Sequence, residues 1–152
     1  MKVIDMRVCG IELKGAEAVI CLLDYELGTF NAADCRMRSI TLTDAVDTQA
    51  TRAFNFAFAK LAEDYKIERF VIIERFQKGK FAGSAASFKM EAALQLLDFP
   101  VHVLNTTDIK ELIKRNPLDI NILDLGLKKF QQPAFSAAYA YLNQEIYATE
   151  EQ

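Results

Sequence analysis

The hydrophobic pattern changes period after the first third of the chain, and this change constrains the fold more than any other feature. Before it, residues 7–13, 16–24 and 35–42 are typical of β-strands, and Lys14-Gly15 predicts a tight turn between the first two. After it, helical patterns and short apolar runs alternate. Three strands followed by strand–helix units favour a mixed sheet with helices on both faces. We therefore predict a three-layer α/β domain with a mixed five-stranded sheet.

The second part of the chain predicts four helices and two buried strands. Apolar residues from Ala50 to Tyr65 recur at helical spacing, and Asp44 or Asp47 is a suitable first residue for that helix. The apolar runs at 70–73 and 101–104 predict the strands. The other three helices are predicted at residues 84–97, 105–115 and 133–146.

Composition limits the class of protein. The chain has 152 residues, 51% of them hydrophobic, which predicts one domain over residues 1–152 with its core at about 6–146. No apolar stretch reaches the roughly 20 residues that span a bilayer, and residues 1–7 lack the apolar core of a signal peptide. Cys9, Cys21 and Cys35 form no C-x-x-C pair, so we expect reduced, mostly buried thiols in a cytoplasmic protein.

Two acidic residues stand at the ends of apolar strands. Glu12 follows Val8-Cys9-Gly10-Ile11, and Glu74 follows Val71-Ile72-Ile73. If these strands are neighbours, the two carboxylates can share one Mg²⁺, which binds one or two carboxylates together with water and phosphate oxygens. The alternative interpretation is a pair of solvated strand-end acids, with Glu74 bound to Lys78 or Lys80.

Three features of the chain resemble the RuvC-type Holliday-junction resolvases. They are the motif Gly10-Ile11-Glu12, the succession of a strand, Glu74, a loop and a helix that begins with small residues, and Lys110. These resolvases belong to the ribonuclease H-like superfamily. The chain from about Met6 is still more similar to a small bacterial family known only as a domain of unknown function. The resemblance implies a ribonuclease H-like fold, Mg²⁺ or Mn²⁺ at Glu12 and Glu74, a phosphate contact from Lys110 and a homodimer.

The chain departs from the resolvases on its last helix. There the resolvases have an Asp-Ala-Ala-Asp-Ala run with two metal-binding acids, and the corresponding residues here are Ser136 to Ala140. Ser136 and Tyr139 occupy the acidic positions, and neither is charged at pH 7. Two functions therefore remain open: metal-dependent phosphodiester hydrolysis of structured or branched nucleic acid, or a catalytically degenerate binding or protein-interaction module of the same fold.

Basic and aromatic residues extend the candidate site. The net charge of −3 argues against indiscriminate coating of nucleic acid but allows a local basic patch. Lys114 is four residues after Lys110 and lies on the same helix face. The predicted nucleic-acid contacts around the loop after Glu74 are three lysines and an aromatic residue that stacks on a base: Lys78, Lys80, Lys89, and Phe76 or Phe81. A solvated lysine face is the equally weighted alternative.

Three further residues or segments have other interpretations. The small residues of Gly83 to Ser87 place free amides at a helix start, which suits a small phosphorylated ligand. His102, the one histidine, lies inside a strand and is predicted to be a structural, hydrogen-bonded residue. Phe54 and Phe56 point to different helix faces, so one of them is a candidate for a subunit interface.

Overall fold

A mixed β-sheet with helices on both faces forms the centre of the protein in the computed structural model, which describes residues 5–80 and 82–150. The strands are β1 (Met6–Lys14), β2 (Glu17–Glu26), β3 (Thr29–Ala32), β4 (Ser39–Thr41), β5 (Arg69–Ile73) and β6 (Val101–Leu104). The helices are α1 (Thr48–Tyr65), α2 (Ala85–Gln95), α3 (Thr106–Arg115) and α4 (Gln132–Glu150). Two short 3₁₀ helices, Ile122–Leu125 and Lys129–Gln131, connect α3 to α4.

The order of strands in the sheet is β3-β2-β1-β5-β6, and β4 also pairs with β2. β1 is antiparallel to β2 and parallel to β5, and β5 is parallel to β6, so the predicted mixed sheet is confirmed. The described sheet has six strands rather than five because β3, which contains Asn31 and has only four residues, was not predicted. The third predicted strand, 35–42, shortens to the three residues of β4.

Side chains of β1 alternate between the two faces of the sheet, as a strand requires. Cys9, Ile11 and Leu13 pack with α1 and α2, whereas Val8 packs with α4. Cys21 faces the side opposite to Cys9, and all three cysteines are free thiols. Burial raises the pKa of the Cys21 thiol to about 12 and raises that of Cys9 as well. Cys9 and Cys21 are buried and Cys35 is half-buried, so the prediction of mostly buried thiols is confirmed.

Helices α1, α2 and α3 each begin directly after a polar residue that caps the first turn. Asp47, rather than Asp44, caps α1, and its Oδ2 accepts a hydrogen bond of 3.0 Å from the amide of Ala50. Ser84 and Asn105 cap α2 and α3 in the same way. In the described part of the chain, no helix combines the length and the apolarity that crossing a membrane requires.

The first turns of α4 lie directly on β1, and a glycine makes this contact close. A Cβ atom placed on Gly10 would lie 1.9 Å from the carbonyl oxygen of Ala134 and 3.0 Å from Cβ of Ala138. Just before α4, the buried side-chain amide of Gln131 donates a hydrogen bond of 2.8 Å to the carbonyl of Ile20 on β2. Together these contacts fix the start of α4 over the middle of the sheet.

Candidate functional site

Glu12 and Glu74 lie at the ends of two neighbouring parallel strands. The last residue pair in the register of β1 and β5 joins Ile11 to Ile72, so the two glutamates follow that pair by one and two residues. The carboxyl ends of parallel strands meet at one edge of a sheet, where open α/β proteins bind ligands. The condition set by the sequence, that the two strands be neighbours, is therefore met.

The carboxylate of Glu12 is half-buried and unsupported. Glu12 is two residues after Gly10 and therefore lies on the α4 face of β1. Among the described residues it has neither a hydrogen bond nor an ion pair. Burial raises the pKa of Glu12 above its ordinary value, and the ammonium of Lys14 opposes that shift only in part. A partly desolvated carboxylate of this kind gains more from a bound cation than a fully hydrated one.

Glu74, unlike the half-buried Glu12, is exposed, and its backbone amide is hydrogen-bonded. Its amide donates 2.8 Å to the carbonyl of Leu104, which continues the pairing of β5 with β6. Within the described residues Glu74 has no ion-pair partner, so the alternative pair with Lys78 or Lys80 is not observed. Its carboxylate thus projects from a fixed strand end.

The start of α2 meets the turn between β1 and β2. The hydroxyl of Ser84 donates 2.6 Å to the carbonyl of Gly15, whose φ of +61° forms the turn. The oxygen of Ser84 also accepts 3.0 Å from the amide of Ser87. One of the amides that the sequence offered to a phosphorylated ligand is therefore already used by the helix cap.

Ser136 and Tyr139, which the resemblance to the resolvases predicts to occupy acidic positions, have different surroundings on α4. Tyr139 is buried, and its hydroxyl donates 2.6 Å to the carbonyl of Asn116. Its ring contacts Phe30 edge-on at 4.9 Å and stacks on Phe135 at 5.9 Å. Ser136 is half-buried, and its hydroxyl accepts a hydrogen bond of 3.4 Å from the side-chain amide of Gln132. Neither position supplies a carboxylate to the strand ends.

The donor set fits a hard cation held mainly by water. Across residues 5–80 and 82–150, no three histidine, cysteine or acidic side chains group closely enough to hold a metal ion. Two carboxylates without nitrogen or sulfur ligands suit Mg²⁺ or Mn²⁺, whose other ligands are water or phosphate oxygens. Glu12 and Glu74 are the residues that would hold it.

The predicted basic residues fall in separate places. Lys110 and Lys114 are exposed on α3, which begins just after the carboxyl end of β6. Ile109, also on α3, is buried against the core. Lys89 does not join Lys78 and Lys80, because its Nζ donates 2.6 Å to the carbonyl of Ala45 before α1. The predicted position of Lys89 is therefore wrong.

The loop after Glu74 exposes its aromatic residue. The side chain of Phe76 is 65% exposed, as stacking on a base requires. Lys78 and Lys80 are exposed in the same loop. Phe81, the other aromatic residue proposed for stacking, lies outside the described residues.

His102 has the structural role that the sequence predicts. Its Nε2 lies 3.3 Å from the hydroxyl of Tyr141, and the two rings are 4.8 Å apart. Tyr141 is buried on α4, so the pair joins the edge strand β6 to the helix above it.

Two features near these elements were not predicted. Arg75, next to Glu74, makes a network of bonds to α2. A groove of about 550 Å³ lies between α1 and α2, and Arg52, Lys89 and Leu96 are among its lining residues. An arginine beside a strand-end acid was the available signal for the network, whereas the groove depends on helix spacing that the sequence does not contain.

The comparison with protein families assigns the chain to one of them. The model of the family described as a protein of unknown function, DUF3010, matches residues 6–141. The chain belongs to the DUF3010 family. No functionally curated protein matches its sequence.

Solved structures show the same fold at low sequence identity. RuvC of Thermus thermophilus is 12% identical, with a TM-score of 0.72 over 95% of this chain and 98% of that one. The same enzyme in complex with a Holliday junction substrate gives a TM-score of 0.67 over 95% and 97%. The yeast mitochondrial Holliday junction resolvase Ydc2 is 13% identical, with a TM-score of 0.54 over 91% and 79%. The DUF3010 chain therefore has a ribonuclease H-like fold, as predicted.

Proposed function

We propose that this protein binds branched nucleic acid at the carboxyl edge of β1 and β5 and hydrolyses a phosphodiester there with Mg²⁺ or Mn²⁺. The observation that carries the proposal is the placement of Glu12 and Glu74 at the ends of adjacent parallel strands. The shared fold supports the choice of substrate, since proteins with this fold are solved with Holliday junction DNA.

Each residue has a distinct role in this proposal. Glu12 and Glu74 hold the ion, which when bound activates water and stabilises the leaving oxygen. Lys110 contacts the phosphate next to the bond that breaks, and exposed Phe76 stacks on an unpaired base. The remaining contacts go to the nucleic-acid backbone from exposed lysines on the loop and on α3: Lys78, Lys80 and Lys114.

The test is cleavage of a four-way DNA junction in Mn²⁺ by the wild type and by Glu74→Gln. We expect junction binding to persist and cleavage to fall by more than about 100-fold, beyond the roughly 10–100-fold loss typical of outer-shell residues. Glu63→Gln, an exposed acid on α1, is the matched control and should cleave normally. Equal cleavage by the Glu74 and Glu63 variants would contradict the proposed metal site.

Binding without cleavage is the second candidate, and Tyr139 is the observation that favours it. This side chain is packed between Phe30 and Phe135 at a position that is acidic in the resolvases. A module of this kind would bind the junction in a gel-shift assay with a salt-dependent affinity. It would leave every branched, hybrid and single-stranded substrate intact in Mg²⁺ and in Mn²⁺, and its affinity would not change in Glu74→Gln.

We extend the proposal to a cytoplasmic homodimer. The three free thiols support a reducing compartment. Phe56, which the sequence left as a candidate for an interface, is 68% exposed on α1, and a second copy is the partner proposed for it. Sedimentation of the wild type and of Phe56→Ser tests this, because a monomer in both cases contradicts the homodimer.

A further inference from the structure

Arg75 links the end of β5 to α2 through four hydrogen bonds. Its Nη1 donates 2.8 Å to the carbonyl of Ile73, and its Nε donates 3.1 Å to the hydroxyl of Ser87. Its Nη2 donates 3.4 Å to the carbonyl of Ser87 and 3.2 Å to a carboxylate oxygen of Glu91. A rigid planar guanidinium can serve this set of acceptors together, whereas a lysine ammonium cannot.

The surroundings of Arg75 hold it in one conformation. Its side chain is 11% exposed and its guanidinium lies 4.7 Å from the ring centroid of Phe88. Gly83 makes the close approach of the loop possible, because a Cβ atom there would lie 3.0 Å from Cβ of Arg75 and 2.8 Å from Oγ of Ser87. The loop, the strand end and the first turn of α2 are therefore packed around this arginine.

Hydrogen bonds hold both polar groups of the peptide unit that joins Ile73 to Glu74. The amide of Glu74 donates to Leu104, and the carbonyl of the preceding residue, Ile73, accepts from Arg75. We propose that Arg75 is a positioning residue that fixes the direction in which Glu74 presents its carboxylate. This inference rests on the proposed function, because it gives Arg75 its importance through the cation that Glu74 would bind.

Glu91 has a complementary role in the same network. A guanidinium next to a metal-binding carboxylate would compete with the cation if the two side chains paired. Here the ion pair of Arg75 is with Glu91 at 3.2 Å, and the Glu74 carboxylate has no ion-pair partner among the described residues. Glu91 thus directs the charge of Arg75 toward α2 and leaves Glu74 available to a cation.

The experiment compares Mn²⁺ binding by calorimetry in the wild type, Arg75→Met and Glu91→Gln. We expect both variants to bind Mn²⁺ about 10-fold more weakly, the size usual for residues that orient a ligand. Arg115→Met is the matched control, since it removes an exposed arginine and its ion pair with Glu111 on α3 and should leave the affinity unchanged. If Arg75→Met does not fold, the milder Glu91→Gln carries the test.

Hydrogen exchange of the Glu74 amide is measured in the same proteins without metal. A positioning role predicts that exchange becomes about 10-fold faster in Arg75→Met while the core amides of β1 keep their protection. Unchanged exchange at Glu74, or faster exchange with unchanged Mn²⁺ affinity, overturns the inference. A wild type that binds no Mn²⁺ contradicts the proposed function, and the exchange rate then decides separately whether Arg75 holds the strand end.

Discussion

The strand ends that carry Glu12 and Glu74 differ from the first half of α4 in almost every physical respect. At the strand ends, a half-buried and an exposed carboxylate have no ion pairs among the described residues. The first half of α4 is lined by buried alanines and by Tyr139 and Tyr141, and it packs against Gly10 without a gap. The first region is the proposed ligand site, and the second is part of the hydrophobic core.

This difference separates the fold from the chemistry it can support. The α4 contacts that hold the sheet do not depend on acids at positions 136 and 139, so the ribonuclease H-like fold persists with Ser136 and Tyr139 in those places. The carboxylates of the proposed site therefore come from the strand ends alone. Substitutions in both regions test whether α4 serves only as core and the strand ends only as a ligand site, and the largest effect is expected at Tyr139.

Replacement of Tyr139 by Asp places an acid where the resemblance to the resolvases predicts one, and it should destabilise the core. Loss of the ring contacts with Phe30 and Phe135 and burial of a carboxylate predict a loss of about 3–5 kcal/mol in the free energy of unfolding. Tyr139→Phe is the matched variant and loses only the bond to Asn116, about 1 kcal/mol. Urea denaturation measures both. A stable Tyr139→Asp protein that binds Mn²⁺ more tightly would show that α4 can still serve as a site.

Replacement of Gly10 by Ala tests how closely α4 is packed on β1. Because the new Cβ would lie 1.9 Å from the carbonyl oxygen of Ala134, α4 must move, and we expect a loss of about 2–3 kcal/mol. The control is Gly15→Ala, which meets no atom within 4 Å but has φ +61°, and it should cost about 1 kcal/mol. The two midpoints in urea give the comparison. Equal effects would mean that α4 shifts easily over the sheet.

Replacement of Glu12 by Gln has the smallest expected effect and depends on pH. Burial raises the pKa of Glu12, so ionisation is less favourable in the folded than in the unfolded protein. The wild type therefore loses stability as pH rises from the ordinary glutamate pKa through the raised one. Glu12→Gln should therefore be slightly more stable than the wild type at pH 7 and equal to it at pH 3, which urea denaturation at the two pH values measures.

The same variant tests whether Glu12 binds a metal ion or is only a partly buried carboxylate. Excess Mn²⁺ should raise the melting temperature of the wild type but not that of Glu12→Gln, because binding to the folded state alone stabilises it. In the wild type this metal effect should be lost as pH falls through the raised pKa of Glu12, since the ligand must be deprotonated. Equal responses of the two proteins to Mn²⁺ would remove Glu12 from the site.

Much of the fold follows from local patterns in the sequence. Gly15 forms the predicted turn, Asp47 and Ser84 begin helices, and the apolar run before Glu74 forms a buried parallel strand. These features depend on neighbours within a few residues, so period and capping chemistry reveal them. β3 was missed because four residues with an asparagine carry a weak local signal, and its pairing with β2 stabilises it.

The candidate site was predictable only in part, for a physical reason. The sequence marked Glu12 and Glu74 as unusual because each ends an apolar strand, but only the pairing of β1 with β5 shows that the two strands are neighbours. Lys89 was misplaced because a long side chain on a helix can reach either of two neighbours, and here it bonds to Ala45. Arg75 was overlooked because its acceptors on α2 are 12 to 16 residues away in the chain.

By itself, the sequence determined the order of the helices and of every strand except β3, the mixed α/β class and the uncharged residues Ser136 and Tyr139 on α4. Those properties come from hydrophobic period, turn chemistry and residue identity, which are local. The tertiary structure alone decided that β1 and β5 are neighbours, that Glu12 is half-buried with no bonding partner among the described residues and that Arg75 pairs with Glu91. These depend on packing between distant segments, and burial and bond geometry exist only once the chain has folded.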